Sequence, residues 1–209
     1  MNLKAKITLS DKERSILMDT DWILHKQSII KKVYDIFSVA SMNINSLFEM
    51  KNLNKNLMVN APKIYRGENY NQFPYVMLDY PGIFGKTDVF AMRTMFWWGN
   101  FFSITVHLSG EYKSLININQ LVNENNLRNE LYICVNENQW EHHFNKDNYH
   151  LLKKLSKEEL FHHVNEKDFI KIAIKFDLEN WDLIPDLLEG GYKLMAEMLI
   201  SFPNDGKDL

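Results

Sequence analysis

Residues 74–112, PYVMLDYPGIFGKTDVFAMRTMFWWGNFFSITVHLSGEY, gather most of the aromatic and β-branched side chains around a few isolated polar ones, and their reading decides the fold. Within them Gly99-Asn100 is a two-residue turn signal between apolar runs, and glycine at the first central position is what a type II′ hairpin turn asks for. Residues 89–98 and 101–109 are therefore expected to form an antiparallel hairpin. The expected register sets Trp98 against Phe101, Phe96 against Ser103, Thr94 against Thr105 and Met92 against His107. The opposite face then carries Val89, Ala91, Arg93, Met95 and Trp97 against Phe102, Ile104, Val106 and Leu108, apolar except at Arg93. A helix over 89–98 competes locally, since Ala, Met and Arg favour one, but helical spacing sorts neither run into faces.

Upstream, Ser10 and Glu13 have the capping-box spacing and open a short helix over 12–18. Thr20 or Asp21 caps a longer one over 22–40, with Trp22, Ile29, Ile30, Val33, Ile36, Phe37 and Ala40 at helical spacing. A short third helical segment is expected at 44–50, followed by an Asn- and Lys-rich linker. KIYRG and PYVMLDY read as strands separated by the polar turn GENYNQ, the second ending at Pro81-Gly82.

Downstream, a helix follows Ser114 and residues 131–135 form an apolar strand. Ser156 and Glu159 make a second capping box for a helix reaching about Val164. In 169–177, Ile170, Ile172, Ile174 and Phe176 alternate with Lys171, Ala173, Lys175 and Asp177, the pattern of a strand near a sheet edge with one wet face. The closing helix tolerates Pro185 in its first turn and is interrupted at Gly190-Gly191, for a kink or a close approach to the sheet.

A chain of 209 residues with 45% hydrophobic content and a net charge of −3 fits one domain. Its parts are a helical 1–60, a sheet with inserted helices over 61–178, and a C-terminal helix and tail over 179–209. No surplus of positive charge favours nucleic acid, and no continuous apolar segment suggests a leader or a membrane anchor. The expected location is cytoplasmic. Cys134 is the one cysteine and lies in the apolar run LYICV, which reads as a buried thiol.

Neither GxGxxG nor GxxxxGK[ST] nor GxSxG can be written from the chain, so no motif points to nucleotide cradling or a serine hydrolase, and no cofactor is expected. His142-His143 and His162-His163 are adjacent pairs. Neighbours on a helix diverge by about 100°, so they are expected at the surface and not at a metal. The element order resembles a helix-grip layout, and the expected fold is a two-layer α+β domain with a mainly antiparallel sheet of five to six strands.

The mixed face of the hairpin, aromatic with hydroxyls, has the composition of a ligand cleft. The leading expectation is a module binding a small apolar or aromatic ligand with an anionic group, using Tyr65, Arg66, Thr94, Trp98, Ser103, Thr105 and His107. Arg66 would hold the anion. An alternative is an enzyme with His107 as general base beside Asp79 or Arg93; a third is a protein-interaction module or homodimer. Arg93, stranded on an apolar face, needs a carboxylate, Asp79 first and Glu68 second.

Overall fold

A computed structural model describes residues 7–51, 55–123 and 130–200. Two helices lead, α1 (Asp11–Met18) and α2 (Thr20–Met50), followed by four strands in sequence: β1 (Lys63–Tyr70), β2 (Phe73–Phe84), β3 (Val89–Trp97) and β4 (Phe101–Ser109). Then come α3 (Ile118–Asn123), β5 (Tyr132–Cys134), β6 (Tyr149–Leu151), α4 (Lys157–Glu166), β7 (Phe169–Asp177) and α5 (Ile184–Glu197). The strands form one open antiparallel sheet in the order β1-β2-β3-β4-β7-β5-β6. This is an α+β layout with seven strands, where the sequence suggested five to six.

Local signals account for many boundaries. Both capping boxes form, Ser10 with Glu13 and Ser156 with Glu159. Asp19, rather than Thr20 or Asp21, caps α2 by accepting from the Trp22 N–H. The periodic stripe of α2 continues through Ile44, Leu47 and Phe48, so the separate third helix expected at 44–50 is the last part of α2. β1 runs through the expected polar turn to Tyr70, and the reversal falls on Asn71 and Gln72, whose φ values of 48° and 71° suit a tight hairpin. β2 likewise continues past Pro81-Gly82 to Phe84, absorbing the break as a register shift after Asp79.

The β3–β4 hairpin differs from expectation by one residue. Its loop is Trp98-Gly99-Asn100, closed by the Asn100 N–H donating to the Trp97 carbonyl at 3.0 Å, with Gly99 at φ 70° in the third position of the turn. Trp97 consequently pairs with Phe101, Arg93 with Thr105 and Ala91 with His107. A one-residue slip exchanges the faces of one strand relative to the other. Phe90, Met92, Thr94 and Phe96 therefore share their face with Phe102, Ile104, Val106 and Leu108, which is the true core face. The hydroxyls and His107 of β4 pass to the face of Arg93.

Onto the core face pack α2, through Ile30, Val33, Phe37, Ala40, Ile44, Leu47 and Phe48, and α5, through Ile184, Leu188, Tyr192 and Met195. Phe37–Phe102 and Phe48–Phe90 meet edge to face at 6.3 and 6.4 Å, a geometry that adds to the area buried. α5 is unbroken at Gly190-Gly191. A Cβ at Gly191 would stand 2.7 Å from Ile104 Cδ1, so this glycine lets the helix close on β4 and β7.

β7 is an interior strand between β4 and β5, not an edge, and Lys171 is 1% exposed. Of the face expected to be wet, Lys171 and Ala173 are covered by the irregular segment 135–148, here called the strap, together with Tyr149, while Lys175 and Asp177 remain exposed. Among the described residues no helix is long and apolar enough to cross a membrane.

The turn assignment predicts the cost of changing Gly99. Nothing lies within 4 Å of a Cβ placed there, so only the backbone conformation resists substitution. Gly99→Val should lower the unfolding free energy by about 1–2 kcal/mol in a denaturant titration, with Gly99→Asn retaining most of it.

Candidate functional site

The face opposite the core is built from alternate residues of β1 to β4 and β7, and its centre is an ion pair. Asp79 and Arg93 are cross-strand partners on β2 and β3. Arg93 Nε donates to Asp79 Oδ1 at 2.7 Å and Nη2 to Oδ2 at 3.0 Å, the two-pronged geometry that suits a guanidinium and a carboxylate. Both are buried. Tyr65, from β1, donates its hydroxyl to Asp79 Oδ2 at 3.0 Å, and Arg93 Nη1 lies 3.5 Å from His142 Nε2 of the strap. The partner expected for Arg93 from the sequence is thus the one it has.

This pair floors an open groove of about 480 Å³ that Asn60, Lys63, Tyr65, Gly82, Phe84 and Trp140 also line. Phe84 and Trp140 are 45% and 46% exposed and lean together with ring centroids 6.4 Å apart. The Arg93 guanidinium stands 5.6 Å over the Phe84 ring, and Lys63 Nζ stands 5.3 Å over that of Tyr65. The groove thus combines an aromatic wall, a charge-balanced floor and one exposed ammonium at its rim.

Behind Trp140 the strap seals a second layer of polar groups. Trp140 packs on His107 at 5.3 Å, and His107 Nε2 is 2.8 Å from Gln139 Oε1. Lys171 is opposite His107 on β7, donates to the Glu141 carbonyl at 2.6 Å and lies 5.5 Å over the Tyr149 ring. Burial, with the Lys171 and Arg93 charges and against the Gln139 hydrogen bond, pushes the His107 pKa down to about 3. Burial likewise pulls Lys171 down to about 8 and, with the same cationic neighbours, sends His142 well below the usual histidine range. Tyr70 fastens the strap: its oxygen accepts from the backbone N–H groups of His142 and His143 at 2.7 and 3.0 Å, and its hydroxyl donates to Glu141 Oε2 at 2.9 Å.

The residues expected to line one cleft are divided by this geometry. Tyr65 lines the groove. Arg66, the next residue of the same strand, falls on the opposite face beside α2; the strand continues through Gly67 instead of bending there, so alternation decides its direction. Thr94 belongs to the core face, where its hydroxyl meets that of Tyr192 at 2.7 Å. Trp98 sits in the turn, edge to face with Phe96 at 5.6 Å. Ser103, Thr105 and His107 are buried under the strap on the Arg93 face.

Asp79 and Arg93 do meet. His142, against Arg93, His143, beside it, and His163, on α4, are half-buried, so of the four histidines only His162 matches the surface expectation. Among the described residues no three of His, Cys, Asp and Glu gather as a metal site would require. Cys134 is buried, as read from LYICV, with its thiol 3.4 Å from Asn148 Oδ1.

The sequence reading missed Phe84, Trp140, His142, Tyr149 and Lys171 as groove or layer residues. The available signal was the strap's own composition: Trp140, His142, His143 and Phe144 in four near-consecutive places are more apolar surface than an exposed loop displays.

Two measurements test this arrangement. Arg93→Met leaves the Asp79 carboxylate stranded under Tyr65 and should cost about 3–5 kcal/mol of stability, whereas the double variant Arg93→Met/Asp79→Leu should recover part of that loss. The His107 pKa is lower folded than unfolded, so the folded state favours the neutral ring. Its stabilisation is complete above the unfolded value near 6.5 and is lost as pH falls from there toward 3, at about 1.4 kcal/mol per pH unit. Unfolding of the protein between pH 7 and 4 should therefore be steeper in pH by about one proton than that of His107→Gln.

No protein-family model, no curated protein and no solved structure matches the chain.

Proposed function

We propose that the protein binds a small, flat apolar or aromatic molecule carrying an anionic group, in the groove floored by Arg93 and Asp79. The observation that carries this reading is the half-exposed aromatic pair Phe84 and Trp140 beside the exposed Lys63. A flat apolar ligand gains most by covering such rings, and an ammonium at the rim selects for an anion at the ligand's other end. Tyr65 and the outer edge of Arg93 offer polar contacts to the ligand's middle, while Asp79 disfavours a second negative charge close to the floor. The anion-holding role that the sequence suggested for Arg66 passes to Lys63, because Arg66 lies across the sheet.

Binding is favoured over base catalysis by the state of His107. A base works best with a pKa near the working pH, and the ring here is held near 3 behind Trp140 and Gln139. We further place the protein in the cytoplasm, a compartment that suits its free buried thiol, Cys134.

Titration with indole-3-acetate and benzoate, against indole and benzyl alcohol as uncharged counterparts, is the direct test, read by tryptophan fluorescence and calorimetry. The carboxylates should bind more tightly than the neutral compounds. Trp140→Ala should abolish binding of both kinds, and Lys63→Met should remove the preference, worth about tenfold. Equal binding of all four compounds to protein and Trp140→Ala alike would dismiss the groove as the site.

A further inference from the structure

Trp140 serves two surfaces at once: it walls the ligand groove on one side and packs on His107 on the other. It belongs to the strap, so the groove keeps that wall only while the strap lies on the sheet. Contacts that hold the strap down run through ionisable groups of the sheet face: Gln139 meets His107, the Glu141 carbonyl meets Lys171, and His142 meets Arg93.

The meeting of His142 and Arg93 works in one protonation state. A guanidinium has N–H donors and no acceptor, so His142 Nε2, 3.5 Å from Arg93 Nη1, has to present its lone pair. A proton on that nitrogen sets donor against donor and cation against cation. The surroundings add to the conflict. Lys171 comes from β7, His107 from β4 and His143 from the strap itself, while Tyr149 of β6 and Cys134 of β5 bring uncharged groups to the lysine. The carboxylates are engaged elsewhere: Asp79 of β2 with Arg93 and Tyr65, and Glu141 with Tyr70 and Asn138, its Oε2 3.7 Å from His143 Nε2. Burial, and after it the neighbouring cations, holds the rings of His107 and His142 neutral. Proton uptake by the two therefore favours an open strap, by up to about a hundredfold for each pH unit below 6.5. Lys171, down at about 8, is charged throughout that range and adds no further dependence.

We propose that the strap is an acid-released latch on the groove: protonation of His142 and His107 frees residues 135–148 from the sheet, and Trp140 leaves the groove with them. Histidines that turn cationic beside other cations couple pH to a change of conformation in this way. The effect on a ligand rests on the binding role of the groove proposed above: a flat anion stacked on Trp140 holds the strap closed, and acid lets both go.

Cys134, the one cysteine of the chain, is buried beside Asn148 of the strap and reports the opening. Its labelling by 4,4′-dithiodipyridine, which reacts in acid, scaled to the rate with glutathione and with no ligand present, should speed up about tenfold or more from pH 7 to pH 5. The far-UV circular dichroism should not change, and urea should accelerate the labelling little, because a local opening exposes little new surface. His107→Gln/His142→Gln takes up no proton and keeps an acceptor oxygen for Arg93; it should remove most of the acid response, and each single variant part of it. His162→Gln, exposed on α4, should leave the response intact. Labelling unchanged at pH 5, labelling as dependent on urea as global unfolding, or a full response in the double variant overturns the latch. Naphthalene-2-sulfonate, an anion at every pH used, tests the coupling: at saturation it should slow labelling at pH 5 about fivefold or more. A sulfonate that binds at pH 7 by calorimetry without slowing the label overturns the coupling. One that does not bind at all ends the binding role of the groove, while the ligand-free labelling still decides the latch.

Discussion

Parity across the β3–β4 hairpin is the constraint on which the rest of the structure depends. With three residues in the loop, strand residues pair so that Phe90, Met92, Phe96, Phe102, Ile104, Val106 and Leu108 meet α2 and α5, and the hydroxyls of β4 with His107 fall beside Arg93, on a face that Met95, Trp97 and Phe101 also share. With two residues the same sequence would put Ser103, Thr105 and His107 under the helices, where each would need a hydrogen-bond partner that an apolar layer does not offer. The exchange of one backbone position thus separates a dry face from a polar one. Thr94 is the single hydroxyl of β3 left on the dry side, and it is met there by Tyr192.

The polar face gathers positive charge. Asp79 balances Arg93 at contact distance, but Lys171 rests on a carbonyl and an aromatic ring, with the Glu141 carboxylate bonded to Tyr70 instead. Burial above all, and after it the neighbouring Lys171 ammonium, keeps His107 and His142 uncharged. The two histidines, the lysine and the arginine form one electrostatic unit; Trp140 packs over His107, while Arg93 reaches the groove floor.

Much of this was legible from the sequence where the signal is local. Ser10 with Glu13 and Ser156 with Glu159 name their helix starts through contacts three residues apart, and Ile170 to Phe176 name a strand by alternation alone. The need of Arg93 for Asp79 followed from its apolar neighbours in sequence, and the pair forms even though the register around it differs. Illegible were the properties that depend on what lies across space. The alternation of Lys171 and Lys175 reads as a wet face, and only the return of the strap from β5 makes Lys171 a buried residue. Turn length is decided by one residue among Trp98, Gly99 and Asn100, and glycine accepts both the two-residue and the three-residue solution. A bend at Gly67 would turn Arg66 into the cleft, but the strand runs on through that glycine, and the simple alternation of Tyr65 and Arg66 places them on opposite faces.

The strap is fastened at points far apart in sequence: Tyr70 near the end of β1, His107 on β4 and Lys171 on β7, all meeting residues 139–143. None of these anchors is a neighbour of the strap along the chain, and all three stand at the right spacing only once β1, β4 and β7 are assembled in one sheet. The strap's place is therefore set by the assembled sheet and not by its own sequence neighbours. Lys171 and His107 are buried only where the strap covers the assembled sheet, so their withdrawal from water depends on β1, β4 and β7 standing together. Lifting the strap alone would therefore return His107 and Lys171 to water, and with it the ordinary proton affinity that burial takes from both.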